Sequence, residues 1–256
     1  MNINHLKAFS DNYMWTIEHK GNFAIVDPGD AKPIHEFINK TGLNLSEVLI
    51  THHHWDHTGG LEEVISEYDC LAYGPEGGHI KGITNPLKDQ DNFTILGDID
   101  FKAFAAPGHT NDQLSFFTDS HETPVVFSGD TLFYGGCGRL FEGTPKDMLF
   151  SMDRYTELPK DTLVYCGHEY TESNLKFALA VEPENEDLKK KIKEVIVMRK
   201  QNLPSLPTSI GTELLINPFM RCREAPVIDA ANNLSSDKLT EPHEVLSEIR
   251  EWKDNF

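Results

Sequence analysis

The densest group of metal-binding side chains lies in residues 51–57, directly after the short apolar run 48–50. Five of these seven residues, Thr-His-His-His-Trp-Asp-His, are histidine or aspartate. Imidazole nitrogens and carboxylate oxygens suit zinc, iron or manganese. Because side chains alternate at the end of a strand, His52 and His54 are expected to point one way and His53 the other. The segment therefore predicts a metal site rather than a histidine-rich surface loop.

Three later loops each add one metal-binding side chain after an apparent strand. These side chains are His109, Asp130 and His168, and a glycine precedes each of them. Glycine lets the backbone turn sharply at the end of a strand, where sites are commonly built. A single Gly-His or Gly-Asp pair is weak evidence, but four strand-end loops with ligands indicate one shared metal site.

Short apolar runs that end at Gly, Pro, Asp or Ser indicate the strands that must position these loops. Strands are predicted over residues 23–26, 48–50, 93–104, 114–118, 125–128 and 163–166, and helices over 33–40 and directly after residue 55. Strands that alternate with helices predict a layered α/β domain.

Beyond Tyr170 the pattern becomes helical. Helices are predicted over residues 172–181 and 185–201, and an amphipathic helix from Pro242 carries apolar residues three or four positions apart. We therefore expect an α/β domain over residues 1–170, which carries the metal-binding side chains, and a small, mainly helical domain over residues 171–256.

Composition excludes several classes of protein. The 256 residues carry 23 Lys and Arg against 41 Asp and Glu, a net charge of -18, whereas nucleic-acid binding usually leaves a basic footprint. The longest apolar run, residues 177–181, is far shorter than the roughly 20 residues of a spanning helix. The N-terminal residues show no secretion signal, so a cytoplasmic protein is expected. The four cysteines are widely spaced and predict reduced thiols.

The order His-x-His-x-Asp-His at His52, His54, Asp56 and His57 resembles the metallo-β-lactamase superfamily of binuclear hydrolases. Within it, the chain is similar to the hydroxyacylglutathione hydrolase (glyoxalase II) family. That likeness rests also on residues 11–13, 26–30, 129–133, 136–139, 142–144, 168–171 and 250–256. It implies an αββα four-layer sandwich with a small C-terminal, mainly helical domain.

The resemblance also implies two metal sites. One metal would be held by His52, His54 and His109, and a second by Asp56, His57 and His168, with Asp130 bridging them. Asp56 and Asp130 are expected to act in catalysis as well. Seven ligands exceed the needs of one tetrahedral zinc ion but suit two ions that share a carboxylate. We expect two divalent ions per chain, with zinc first and iron or manganese as alternatives. Asp27 could orient a ligand or simply form a turn.

The same resemblance places glutathione-binding residues in the second part of the chain. They are Arg139, Phe141, Tyr170, Arg250 and Lys253. Cationic side chains suit the carboxylates of glutathione. Animal members tend to have Lys and Tyr at the positions of Arg139 and Phe141, and many members have His at the position of Gln113. Altered hydrogen bonding and glutathione affinity are therefore expected.

The candidate residues and the resemblance lead to one expected reaction and two alternative functions. The expected reaction is hydrolysis of S-(2-hydroxyacyl)glutathione, chiefly S-D-lactoylglutathione to D-lactate and glutathione, in methylglyoxal detoxification. A hydroxide that bridges the two metals would attack the thioester. The alternative enzyme is a mononuclear-iron persulfide dioxygenase of the same superfamily, and a metal-bearing binding module without catalysis is a third reading. A small-molecule partner and a monomer are expected, with no nucleic acid and no membrane.

Overall fold

The computed structural model describes residues 1–256, which form two compact units. The first unit comprises Met1–Ala105 and Asp112–Gly129, and the second comprises Ala106–Asn111 and Asp130–Phe256. The predicted domain division at residue 170 stays a prediction.

The first unit contains ten strands and three helices. These are β1 (Asn2–Ala8), β2 (Asn12–His19), β3 (Asn22–Val26), α1 (Ala31–Thr41), β4 (Asn44–Leu49), α2 (Trp55–Thr58), α3 (Leu61–Tyr68), β5 (Leu71–Pro75), β6 (Asn85–Leu87), β7 (Asn92–Ile95), β8 (Ile99–Ala105), β9 (Leu114–Thr118) and β10 (Val125–Gly129).

Strands β1 to β6 form one sheet in chain order. Strands β1, β2 and β3 are antiparallel, whereas β3, β4, β5 and β6 are parallel. Parallel neighbours require crossover connections, which α1 supplies between β3 and β4 and α2 with α3 supply between β4 and β5. The residues that follow β3 and β4 therefore lie at the same edge of the sheet.

Strands β7 to β10 lie in a second sheet, in which β7 pairs with β8, β8 with β9 and β9 with β10, all antiparallel. Aromatic rings join the two sheets of this unit. Tyr73 on β5 stacks on Phe93 on β7 with ring centroids 5.0 Å apart. Phe93 in turn contacts Phe101 at 5.7 Å and Phe116 at 5.7 Å. Burying these rings contributes much of the hydrophobic stabilisation between the sheets.

The second unit is mainly helical. Its elements are β11 (Leu132–Phe133), β12 (Gly136–Cys137), α4 (Pro145–Thr156), β13 (Leu163–Cys166), α5 (Thr171–Val181), α6 (Glu186–Lys200), β14 (Thr208–Ser209), α7 (Ile210–Ile216), α8 (Ala225–Asn232) and α9 (Pro242–Asp254).

Helices α5 and α9 share an aromatic core in this unit. The ring of Phe177 on α5 lies 6.1 Å from that of Phe219 and 5.2 Å from that of Trp252 on α9. The spacing of apolar residues from Pro242 correctly predicted α9, whose Val245, Leu246 and Ile249 are buried. The amphipathic pattern was reliable here because it continues over several turns.

Several predicted elements differ from those observed. Residues 93–104 form two strands, because Leu96 and Gly97 adopt positive φ values of 52° and 86° and turn the chain. The helix after the His-rich segment is two helices, separated by Gly59 and Gly60. Helix α4 was not predicted, although Thr144 and Asp147 form a capping box at its start.

Two other sequence predictions can be compared with the structure. The four cysteines are free thiols, as predicted, and all four are buried. None of the helices combines the length with the apolar character that crossing a membrane requires.

Glu213 on α7 is a fully buried carboxyl group with three hydrogen-bond donors around it. It accepts from the Gly135 N–H at 2.8 Å, the Thr208 hydroxyl at 2.7 Å and the Asn217 amide at 2.9 Å. Burial raises the pKa of Glu213 to about 7, and the three donors oppose that shift only in part. The group therefore joins α7 to β14 and to the turn between β11 and β12.

We predict that Glu213 makes stability fall as pH rises through about 7. A pKa that is raised in the folded state stabilises the fold below the unfolded pKa, and this contribution disappears as the folded carboxyl loses its proton. Glu213→Gln resembles the protonated form. The loss accumulates between the ordinary pKa of 4.5 and the folded pKa of about 7. Between about pH 4 and about pH 8, wild type should therefore lose about 3 kcal/mol of unfolding free energy relative to the variant.

Urea denaturation at several pH values measures this difference. The matched control is Glu172→Gln, which removes an exposed carboxylate from α5. An equal pH slope in wild type and Glu213→Gln would contradict the prediction.

Candidate metal centre

The carboxylate of Asp27 organises the loops that follow β3 and β4. Its Oδ1 accepts the backbone N–H of Thr51 at 2.7 Å, and its Oδ2 accepts the Thr51 hydroxyl at 2.8 Å. The same Oδ2 lies 2.9 Å from Nδ1 of His57, and both side chains are buried. With Nδ1 held by a carboxylate, His57 offers Nε2 as its ligand atom. Asp27 therefore orients a candidate ligand and also occupies a turn, with φ of 53°.

The four predicted ligands of the first unit lie together. Nε2 of His52 is 3.1 Å from Nδ1 of His54, and Nε2 of His57 is 3.5 Å from Oδ2 of Asp56. The rings of His52 and His57 lie 4.2 Å apart. His53 points elsewhere, toward Asp112, as strand alternation predicted.

Asp56 is supported by Asn12 and by a close approach of backbone. The buried amide of Asn12 donates to Oδ2 of Asp56 at 3.0 Å. A Cβ at Gly29 would lie 1.9 Å from the backbone oxygen of Asp56, so only glycine fits there. The sequence pointed to residues 11–13 and 26–30 as motifs without assigning them these roles. Because a buried Asn side chain requires hydrogen-bond partners, Asn12 is the residue from which this supporting role could have been inferred.

The three predicted ligands of the second unit also form a cluster. Oδ2 of Asp130 lies 3.1 Å from Nε2 of His168 and 3.6 Å from Nε2 of His109. Nδ1 of His109 donates to the backbone oxygen of Arg139 at 2.9 Å, which directs its Nε2 toward Asp130. A Cβ at Gly138 would lie 2.1 Å from the Asp130 backbone oxygen, so this turn also requires glycine.

The spacing of the donor atoms fits divalent metal binding. Ligand atoms about 2.0–2.1 Å from a tetrahedral ion lie about 3.3 Å from one another. The four donor pairs described above are separated by 3.1, 3.5, 3.1 and 3.6 Å. The donors are imidazole nitrogens and carboxylate oxygens, which suit zinc, iron and manganese alike. Each unit therefore supplies a set of side chains with the chemistry and the spacing of metal ligands.

Two of the predicted glutathione-binding residues are aromatic and contact metal-ligand candidates of the same unit. The ring of Tyr170 stacks on that of His168 with centroids 4.7 Å apart and planes inclined by 6°. The ring of Phe141 meets that of His109 edge to face at 5.3 Å. Both aromatic side chains keep much of their surface exposed. They can therefore touch a ligand and a histidine at the same time.

The predicted cations gather around Asp254 on α9. Oδ1 of Asp254 accepts from Nη2 of Arg250 at 3.0 Å and lies 3.4 Å from Nε of Arg139. Arg250 is buried and also donates to the backbone oxygen of Cys137 at 2.9 Å. Lys253 donates to the side-chain oxygen of Asn174. One carboxylate thus serves two arginines, and sequence patterns had not singled it out.

Burial lowers the pKa of Lys253 to about 8, and the positive charge of Arg250 acts in the same direction. An anionic ligand near this amine would favour its protonated form.

Gln113, which departs from the family pattern, is buried and donates to the backbone oxygen of Ser128 at 2.7 Å. It therefore has a hydrogen-bonding role beside the β10 strand.

Two known family models together match nearly the whole chain. The family model of the metallo-β-lactamase superfamily matches residues 9–168, and that of the hydroxyacylglutathione hydrolase C-terminus matches residues 169–256. A hydroxyacylglutathione hydrolase of Idiomarina loihiensis is 42% identical over 257 residues, which cover 100% of each chain. One of Pseudomonas savastanoi pv. phaseolicola is 44% identical, with 99% of each chain covered.

Solved structures with low sequence identity show the same fold. ETHE1 from Myxococcus xanthus superposes with a TM-score of 0.66 at 22% identity, covering 99% of this chain and 98% of its own. The B3 metallo-β-lactamase BLEG-1 gives a TM-score of 0.65 at 22% identity, covering 86% of this chain and 99% of its own. These similarities confirm the predicted metallo-β-lactamase-type α/β fold with a helical C-terminal part.

We predict that Asp27→Asn weakens metal binding by about 10- to 100-fold. The amide of Asn would donate to Nδ1 of His57, so the ring would carry its proton on Nε2, the nitrogen needed for a metal. Asn tolerates the positive φ of 53° at this position, so the fold should be retained.

The loss of metal affinity is measured as the metal retained per chain during dialysis against chelators of increasing affinity. Asp30→Asn is the matched control, because Asp30 only caps α1 by accepting the Lys32 N–H. Equal metal retention by Asp27→Asn and wild type would refute the orienting role of Asp27.

Proposed function

This chain belongs to the hydroxyacylglutathione hydrolases of the metallo-β-lactamase superfamily, and from that membership we infer that it hydrolyses glutathione thioesters. The reaction is hydrolysis of S-(2-hydroxyacyl)glutathione, chiefly S-D-lactoylglutathione, to the 2-hydroxy acid and glutathione. The observation that carries this function is the full-length match to relatives of that name, which extends through the C-terminal helices.

The seven candidate ligands are proposed to hold two divalent metal ions. His52, His54 and His109 would hold one ion, and Asp56, His57 and His168 the other, with Asp130 bridging them. The donor spacings within each unit suit metal ligands. The division of the seven residues into two sets rests on the family resemblance. Zinc is the proposed metal, with iron and manganese as alternatives. When bound, the ions supply hydroxide at neutral pH by lowering the pKa of water, and a Lewis acid for the carbonyl oxygen.

The residues of the chain contribute orientation and charge to this chemistry. Asp27 holds His57 with Nδ1 protonated, so Nε2 keeps its lone pair. The Arg139 backbone oxygen does the same for His109. Asp56 and Asp130 supply negative charge to the centre. The leaving group is a thiolate whose parent thiol has a pKa of about 8.5, so a strong proton donor is unnecessary.

Substrate binding is assigned to the cations and aromatic rings of the second unit. Arg139, Arg250 and Lys253 would bind the carboxylates of glutathione, and Arg can do so through two parallel hydrogen bonds. Phe141 and Tyr170 would pack against the peptide beside His109 and His168. We also propose that a functional boundary at residue 170 separates the hydrolytic part from the glutathione-binding part. The meeting of the two family models between residues 168 and 169 supports this boundary.

The alternative persulfide dioxygenase is less supported. Such dioxygenases share the superfamily core, whereas residues 169–256 match the C-terminal family model of hydroxyacylglutathione hydrolases. A cytoplasmic location and a monomeric state remain proposals from the sequence. Oxygen consumption with glutathione persulfide would reveal dioxygenase activity, and its absence together with lactoylglutathione turnover would favour the hydrolase.

We predict that Asp130→Asn lowers both metal content and turnover. A carboxamide cannot bridge two cations as a carboxylate can, so fewer than two metals per chain should remain. Turnover of S-D-lactoylglutathione should fall by more than about 100-fold, since losing an outer-shell partner alone costs about 10- to 100-fold. Elemental analysis and a thioester assay measure the two quantities. Asp161→Asn, at an exposed position in the same unit, is the control. If Asp130→Asn retained two metals per chain and full turnover, the assignment of Asp130 as a metal ligand would be wrong.

We predict that Lys253→Gln raises KM for S-D-lactoylglutathione by about tenfold or more, which is the usual contribution of a charge-assisted hydrogen bond. Metal content should stay normal. Because Lys253 has a pKa of about 8 and is cationic below that value, kcat/KM of wild type should decline as pH rises above 8.

In Lys253→Gln this decline should be absent. The control is Arg223→Gln, which removes an exposed cation that pairs with Asp153 in the same unit. If KM and the pH profile of Lys253→Gln match those of wild type, Lys253 does not bind the substrate.

A further inference from the structure

A second group of metal-binding side chains lies in the first unit, outside the seven ligands discussed above. It consists of His53, His79 and Asp112. Oδ1 of Asp112 is 2.9 Å from Nδ1 of His53, and Oδ2 is 2.7 Å from Nε2 of His79. The two imidazole rings lie 5.6 Å apart and are inclined by 74°. One carboxylate thus faces two histidine nitrogens.

Three separate segments of the chain bring these residues together. His53 lies between two ligand candidates after β4 and points away from them. His79 lies in the loop between β5 and β6, where Gly77 and Gly78 adopt φ values of 116° and 72°. Asp112 stands two residues before β9. Because the segments are distant in sequence, this group could not be recognised by motif or spacing.

The donor set is that of a transition-metal site. Two imidazole nitrogens and one carboxylate oxygen, with a water as fourth ligand, are a common set for zinc. The three ligand atoms lie within 4.8 Å of one another. The distances of 2.7 and 2.9 Å are shorter than the roughly 3.3 Å between ligands of a tetrahedral ion. Shifts of less than an ångström in the positions of the exposed side chains would therefore make room for a tetrahedral ion.

Exposure and charge also suit an ion that exchanges with solvent. The side chains of His53 and His79 are 31% and 43% exposed, which leaves room for a water ligand. The carboxylate of Asp112 is only 13% exposed between them. A cation would compensate for the partial loss of hydration of this carboxylate.

We propose that His53, His79 and Asp112 form a third transition-metal site, selective for ions such as Zn²⁺ that prefer imidazole. His53 is adjacent in sequence to His52 and His54, so cations at those ligands repel an ion at this site. The third ion therefore binds after the other two and more weakly. It is an exchangeable ion next to the candidate metal centre rather than part of it.

Zinc titration of the holoenzyme tests this proposal. Wild-type protein already loaded with its tightly bound metals is dialysed to equilibrium against increasing Zn²⁺, and bound zinc per chain is measured. His79→Ala and Asp112→Asn are compared with wild type, and His243→Ala, which removes a histidine from α9, is the control. We expect wild type and His243→Ala to reach a plateau one zinc per chain above that of the other two variants.

Asp112→Asn separates a metal site from a plain hydrogen-bonded group. A carboxamide can still hydrogen-bond to both imidazoles but is a much poorer zinc ligand, so this variant should stay folded and still lose the extra zinc. Unchanged thioester turnover in metal-limited buffer would show that both variants are folded. The same zinc plateau in all four proteins would overturn the proposal, whatever the number of tightly bound metals.

Discussion

The buried carboxylate of Asp27 is the constraint on which the candidate metal ligands of the first unit depend. It lies directly after β3 and accepts hydrogen bonds from two groups of Thr51 and from His57. A buried carboxylate is costly unless donors surround it, and these three donors meet that need. The loop after β4 and helix α2 are thereby held to the end of β3. Without Asp27, the buried N–H of Thr51 would lose its partner and His57 would lose its orientation.

The second unit uses a neutral acceptor for the same purpose. His109 donates to the backbone oxygen of Arg139 rather than to a carboxylate. A carboxylate partner raises the basicity of an imidazole more than a carbonyl does, so His57 should be the stronger donor of the two. The Arg139 carbonyl has a different consequence, because the side chain of the same residue is proposed to bind substrate. A shift of the Arg139 backbone would therefore disturb metal binding and substrate binding together.

The sequence indicated the candidate ligands but not the contacts that orient them. His52, His54, Asp56 and His57 share a compact motif next to a strand, and strand geometry already separates His53 from its neighbours. The supporting contacts join residues far apart in the chain, as Asn12 does with Asp56, 44 positions away. No periodic pattern records such pairs. Turns were missed for a similar reason, since the positive φ of Leu96 that divides β7 from β8 is unusual for a leucine.

Local charge is compatible with the proposed binding of an anionic substrate by a chain with a net charge of -18. The excess of acidic residues is concentrated before residue 170, with a net charge of -15, and the remainder carries only -3. Around Asp254, three cations lie near one carboxylate, so the summed charge of this group of side chains is positive despite the total. Exposed charges farther away than a Debye length of about 8 Å are largely screened at physiological salt. In the proposed binding mode, a substrate carboxylate that approached Arg139 would therefore meet Arg250 and Lys253, and it would compete with Asp254 for them.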